Sequence, residues 1–123
     1  MIVYYSRFKN TEKMLKKLQV EIPAVSISEY DGKENFVLIT PTYGIGEIPE
    51  EVEKFLAVHH VKMLGVISSG NMNWGARFAI SGKLISEKYN VPWLYKYELT
   101  GNKNDIEKIR KVLFYYYEKE KLH

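Results

Sequence analysis

Short apolar runs alternate along this chain with stretches in which apolar residues recur every three or four positions. The runs at residues 2–5, 24–27, 36–39, 61–67 and 93–99 read as strands, and their near-continuous apolar character suits a parallel sheet covered on both faces. Helical spacing links Met14, Leu15 and Leu18, then Ile48, Val52, Phe55 and Leu56. It returns at Trp74, Phe78, Ile85 and Tyr89, and again at Ile106, Ile109, Leu113 and Tyr116. Pro49 suits a first helical turn, with Glu50 and Glu51 at its positive end, and Asp105 suits the start of the last helix.

These elements run β-α-β-β-α-β-α-β-α, which predicts a three-layer α/β domain on a five-stranded parallel sheet in the order 2-1-3-4-5. One joint is unusual. Residues 28–35, between the second and third strands, are polar and shorter than the dozen or so residues of an ordinary parallel crossover. Either this link crosses without a helix or the second strand lies elsewhere.

At 123 residues the chain is read as one domain, residues 1–123, with 46% hydrophobic and 27% charged residues, as expected of a soluble globular protein. The absence of cysteine excludes disulfides, thiolate metal sites and dithiol chemistry, so a redox role requires a bound cofactor. A formal charge of +3 is spread over the helices, without the basic stripe that nucleic acid requires. Met1 leads straight into a strand pattern, and no apolar run reaches membrane-spanning length, so a cytoplasmic protein is expected. His59, His60 and His123 are too few and too scattered for a metal site, and Tyr115, Tyr116 and Tyr117 read as helix packing.

Candidate chemistry concentrates where strands end. The first strand leads into Ser6-Arg7-Phe8-Lys9-Asn10-Thr11, where Asn10 or Thr11 suits a helix cap and the first-turn amides suit an anion. This is not a Walker loop, since its glycines and Gly-Lys-Ser/Thr ending are missing. The third strand leads into Thr40-Pro41-Thr42-Tyr43-Gly44-Ile45-Gly46, whose glycines permit close approach and whose Tyr43 offers an aromatic face. The fourth leads into Ser68-Ser69-Gly70-Asn71-Met72-Asn73-Trp74-Gly75, a loop of small and amide residues with an indole at its rim. A further polar loop follows the fifth strand at residues 100–104.

In the flavodoxin-like order 2-1-3-4-5 the first three of these loops converge at the switch between the first and third strands. One suits a phosphate; the other two bring peptide groups and an aromatic each. Flavin mononucleotide (FMN) needs that combination, because its phosphate is an anion and its ring is a flat apolar surface edged with hydrogen-bonding atoms. The loops carry few carboxylates, Glu47 being the nearest, which predicts a bound flavin that is less strongly reducing than in an acidic electron carrier.

The segments at residues 65–75 (Gly-Val-Ile-Ser-Ser-Gly-Asn-Met-Asn-Trp-Gly) and 90–101 (Asn-Val-Pro-Trp-Leu-Tyr-Lys-Tyr-Glu-Leu-Thr-Gly) resemble the NrdI family, nearly end to end with the rest of the chain. Residues 42–49 resemble its compact branch, other members having a longer glycine-rich insert there. The resemblance implies an FMN protein whose reduced flavin reacts with dioxygen. The resulting oxidant passes to a dimanganese site in the small subunit of class Ib ribonucleotide reductase, where a tyrosyl radical is generated. It also implies a flavin reductase or other electron donor, and no membrane or nucleic-acid partner. By resemblance, Ser6, Arg7, Phe8, Lys9, Asn10 and Thr11 surround the phosphate; Thr42, Tyr43 and Gly44 flank one side of the ring. Ser69, Gly70, Asn71, Trp74 and Gly75 flank the other, with Leu99 and Gly101 near its edge. No side chain stands out as an acid or base. Two rival readings are a conventional flavodoxin carrying single electrons to a reductase, and a flavin-free interaction domain.

Overall fold

A computed structural model of the protein describes residues 1–44 and 46–121. Its strands are β1 (Ile2–Tyr4), β2 (Ala24–Ser26), β3 (Phe36–Pro41), β4 (Met63–Gly70) and β5 (Trp93–Glu98). Its helices are α1 (Asn10–Leu18), α2 (Glu50–His59), α3 (Ser81–Tyr89) and α4 (Lys103–Lys121). The five strands form one sheet in the order β2-β1-β3-β4-β5, every pairing parallel. The expected architecture is therefore the observed one.

Alternation along β3 explains the two cores. Phe36 and Leu38 face one side, with Val3, Val52, Leu56, Val66 and Ile85 beneath α2 and α3. Val37 and Ile39 face the other, with Met14, Leu18, Ile67, Tyr97, Ile109 and Leu113 beneath α1 and α4. Each such aliphatic side chain, wholly removed from water, contributes about 1.5–3 kcal/mol of transfer free energy. Tyr116 and Tyr117 pack partly buried against the second core, whereas Tyr115 is exposed.

The β2–β3 connection crosses β1 without a helix. Tyr30 fills that gap: it is buried, meets the rings of Phe36 and Phe55 edge-on, and donates its hydroxyl to the Glu34 carbonyl. Other expectations shift. Val61 is exposed in a 3-10 turn at His60–Lys62, so β4 begins later, at Met63. The strand also runs further, through Ser68, Ser69 and Gly70, because its hydrogen-bonded register with β5 continues to Gly70 opposite Glu98. Trp74 and Phe78 do not share a helix with Ile85. They lie in a 3-10 segment, Met72–Arg77, kinked at Gly75 (φ 57), and a left-handed Ala79 (φ 54) precedes α3. Pro49 is the extended residue before α2 rather than part of its first turn. Lys103 opens α4, where the Asp105 amide donates to Asn102 Oδ1 (2.8 Å) and the Asn102 amide to Asp105 Oδ2 (2.9 Å).

Candidate functional site

The end of β1 turns into α1 through Lys9, which takes a left-handed conformation (φ 64) at the N-cap and gives no side-chain cap. Asn10 and Thr11 do not cap the helix either. Thr11 is buried and donates its hydroxyl to the Tyr5 carbonyl (3.1 Å), tying α1 to the end of β1. The first-turn amides of α1 thus face the strand ends without a side-chain acceptor, where helix geometry favours an anion. Beside them the Ser6 hydroxyl is buried and has no hydrogen-bond partner.

The end of β3 is held from beneath. Thr42 donates its hydroxyl to Ser81 Oγ (2.8 Å) and accepts the Ser81 amide (3.2 Å), while Ser81 Oγ donates to the Pro41 carbonyl (3.1 Å). Tyr43 and Glu47 exchange backbone hydrogen bonds of 2.8 and 2.7 Å, closing a tight loop in which Gly44 and Gly46 have positive φ. The Tyr43 ring lies 6.1 Å from that of Tyr5, edge-on, and the Arg7 guanidinium sits 5.4 Å from the ring centres of both Tyr43 and Phe8. The Tyr43 hydroxyl is buried without a hydrogen-bond partner; burial pushes its pKa up, against the lowering influence of Tyr5 and Arg7.

At the end of β4 small residues are needed for packing. A Cβ on Gly70 would stand 2.6 Å from the Ala79 backbone nitrogen, so its smallness admits the returning chain. Ser68 is buried, donates to the Ala79 carbonyl (2.6 Å) and accepts the Trp93 indole N–H (2.9 Å). Past Gly70, Asn71 accepts the Asn73 amide (2.9 Å), the Glu98 carboxylate accepts the Met72 amide (3.0 Å), and the Leu99 amide reaches the Gly70 carbonyl (3.2 Å). These bonds pin a segment that presents Trp74 half-exposed, at 51%.

Between the three ends lies a cleft of about 500 Å³, a size suited to a nucleotide-sized ligand. It gathers Ser6, Arg7, Phe8, Asn10, Thr11, Thr42, Tyr43, Gly44, Ser69, Gly70, Asn71, Trp74 and Leu99 from the expected set. Lys9, Gly75 and Gly101 are not in its lining; the first two shape the backbone, and Gly101 begins the turn before α4. Ile45, inside the second loop, and His123 lie outside the described residues. Pro41 was not anticipated in the lining, though its place directly before Thr42 signals it, and the supports Ser81 and Glu98 carry no local sequence signal.

Arg7 is the one charged side chain lining the cleft among the described residues, which favours an anionic ligand. A larger groove, about 690 Å³, lies across Ser6 between β2 and α2, but the carboxylates of Glu12, Glu29 and Glu51 outweigh the single ammonium of Lys54 in its lining. Those charges repel a phosphate, and the groove lies beside the β1/β3 switch rather than at it, so the smaller cleft is the candidate site. Among the described residues no helix is long and apolar enough to cross a membrane.

The fold has solved counterparts. A short-chain flavodoxin associated with a non-canonical PDU bacterial microcompartment is 23% identical, with 90% of each chain covered and a TM-score of 0.71. Oxidised flavodoxin 2 from Bacillus cereus is also 23% identical, covering 96% of this chain and 97% of its own, with a TM-score of 0.66. These likenesses concern the fold. The family model described as "NrdI Flavodoxin like" matches residues 2–111 and so takes in all five strands and every loop that lines the cleft. By that match, this chain belongs to the NrdI flavodoxin-like family.

Proposed function

We propose that the chain binds FMN in this cleft and supplies an oxygen-derived oxidant for assembly of the dimanganese–tyrosyl radical cofactor in the small subunit of class Ib ribonucleotide reductase. One observation carries the reading: the uncapped start of α1 and the faces of Tyr43 and Trp74 converge on one cleft at the β1/β3 switch, in a chain of the NrdI flavodoxin-like family. The cytoplasm, where the reductase works, is the corresponding location.

The fit to FMN rests on this chain's own atoms. The α1 amides, the unpartnered Ser6 hydroxyl and Asn10 form a cradle for the phosphate, with Arg7 adding positive charge. Tyr43 and Trp74 offer the apolar faces that hold a planar ring, and the backbone at Gly44, Ser69, Gly70, Asn71 and Leu99 offers hydrogen bonds to its edge. Lys9, Gly75 and Gly101 act on loop shape. When bound and reduced by a flavin reductase or other donor, the flavin supplies the electrons that convert dioxygen to the oxidant. The protein's part is to bind, orient and keep carboxylates away. The absence of Asp and Glu from the described lining leaves negative charge on the ligand without a close repelling partner.

The test is reconstitution. Reduced, FMN-loaded protein is mixed with manganese-loaded class Ib small subunit and dioxygen, and the tyrosyl radical is counted by electron paramagnetic resonance. The expected result is a radical yield that depends on this chain. No radical above the control without it, together with efficient one-electron delivery to an acceptor, would transfer the assignment to a conventional flavodoxin. Failure to take up FMN would remove both readings.

A further inference from the structure

Behind the cleft, one hydroxyl has no use in the ligand-free fold. Tyr97, on β5, is 1% exposed, yet its phenolic oxygen has no hydrogen-bond partner. Ser69 and Thr11, both buried and both lining the cleft, stand close enough to act on the phenol, while Tyr97 itself stays behind that lining. Burial pushes the phenol's pKa well up, with the Ser69 and Thr11 hydroxyls acting in the opposite direction, so Tyr97 keeps its proton. A buried hydroxyl without a partner costs stability relative to the phenylalanine that would fill the same space. The core around it is Ile67, Ile106 and other apolar residues, which ask only for a ring.

The two neighbours differ in what they can still give. The Thr11 hydroxyl already spends its hydrogen on the Tyr5 carbonyl. Ser69, the next-to-last residue of β4 and part of the cleft wall, carries a hydroxyl that can accept from one neighbour and donate to another. We propose that Tyr97 is a positioning residue for the ligand: on binding, its hydroxyl donates to Ser69 Oγ and so commits the Ser69 hydrogen to an acceptor atom of the bound flavin nucleotide. The inference rests on the reading of the cleft as an FMN site. Its logic is that of a hydrogen-bond chain, in which a buried donor both orients the next hydroxyl and strengthens its outgoing bond. The ligand completes a network that is unfinished without it.

The experiment compares wild type, Tyr97→Phe, Ser69→Ala and the double variant in two measurements: thermal unfolding without ligand, and FMN titration followed by flavin fluorescence. Tyr97→Phe is expected to unfold at the wild-type temperature or above it, yet to bind FMN about three- to tenfold more weakly, the range of one hydrogen bond. Ser69→Ala is expected to weaken binding as well, and the double variant to bind no worse than Ser69→Ala alone. Unchanged FMN affinity in Tyr97→Phe, a destabilised ligand-free Tyr97→Phe, or losses that simply add in the double variant would each overturn the proposal. Wild type that fails to bind FMN would overturn the functional reading itself, a result distinct from any difference among the variants.

Discussion

Tyr5 donates its phenolic hydrogen to the Glu51 carboxylate, joining the chain after β1 to the first turn of α2 in the wall of the larger groove. The bond acts on both partners: it is the largest cause raising the Tyr5 phenol's pKa, and it holds the Glu51 carboxyl below its usual 4.5. A carboxyl depressed in the fold contributes stability above pH 4.5 and loses it as pH falls through the folded value. Tyr5→Phe is therefore expected to move the Glu51 titration up toward 4.5, read by carboxyl-carbon NMR, and to narrow its stability gap to wild type as the solution is acidified.

Trp74 is half-exposed in the absence of ligand, so its removal touches the fold lightly. Trp74→Ala is expected to leave the unfolding temperature nearly unchanged while weakening FMN binding by about 1 kcal/mol, roughly fivefold. Fluorescence titration beside a thermal melt separates the two effects.

Gly82, in the first turn of α3, carries no loop function, yet a Cβ there would collide with the Trp93 indole nitrogen and Ser68 Oγ. Gly82→Ala is expected to destabilise the protein by about 1–3 kcal/mol, as overpacking does in tight interiors. Denaturant unfolding followed by tryptophan fluorescence reads the loss, and Trp93 is well placed to report it.

Lys9 holds a left-handed backbone that costs an L-residue about 1–2 kcal/mol. Because its side chain is not part of the cleft lining, Lys9→Gly is expected to raise stability by about 1 kcal/mol, less the entropy that glycine loses on folding. FMN affinity should stay close to wild type; a large loss in titration would place the ammonium at the phosphate after all.

Burial and the Asp105 carboxylate, which accepts the Tyr95 hydroxyl at 2.7 Å, push the Tyr95 phenol up to about 12 from 10.0. A raised folded pKa means that its stabilising contribution is complete below pH 10.0 and is lost as pH climbs through about 12. Tyr95→Phe is expected to flatten the alkaline limb of the stability curve, measured by denaturant unfolding across that range.

The sheet order and most of the cleft were legible in the sequence because they depend on local signals: apolar runs, helical spacing, and polar stretches where strands end. What was not legible depends on which atoms come back to meet the chain. Gly70 resembles a ligand-approach glycine in sequence, but it is the Ala79 backbone that needs the space. Trp74 and Phe78 stand at helical spacing from Ile85, yet the kink at Gly75 and the left-handed Ala79 separate them from α3. Asn10 and Thr11 are good capping residues by type, but Thr11 is drawn to the Tyr5 carbonyl instead. Tyr97 sits in an ordinary strand pattern; only its unpartnered oxygen distinguishes it from phenylalanine.

The helix-free link after β2 also bears on how these molecules behave in a crowded solution. An edge strand displays unpaired peptide groups and can recruit a strand from another chain. Here that edge is three residues long, and the chain leaves it at once for a turn in which Ser26 bonds to Ser28 (2.8 Å) and Glu29 (3.2 Å). Tyr30 then anchors the turn to the core. A template so brief, ended by hydroxyls and a carboxylate, offers an incoming strand almost nothing to extend. On that side, an open sheet is protected against polymerisation by the shortness of its last strand.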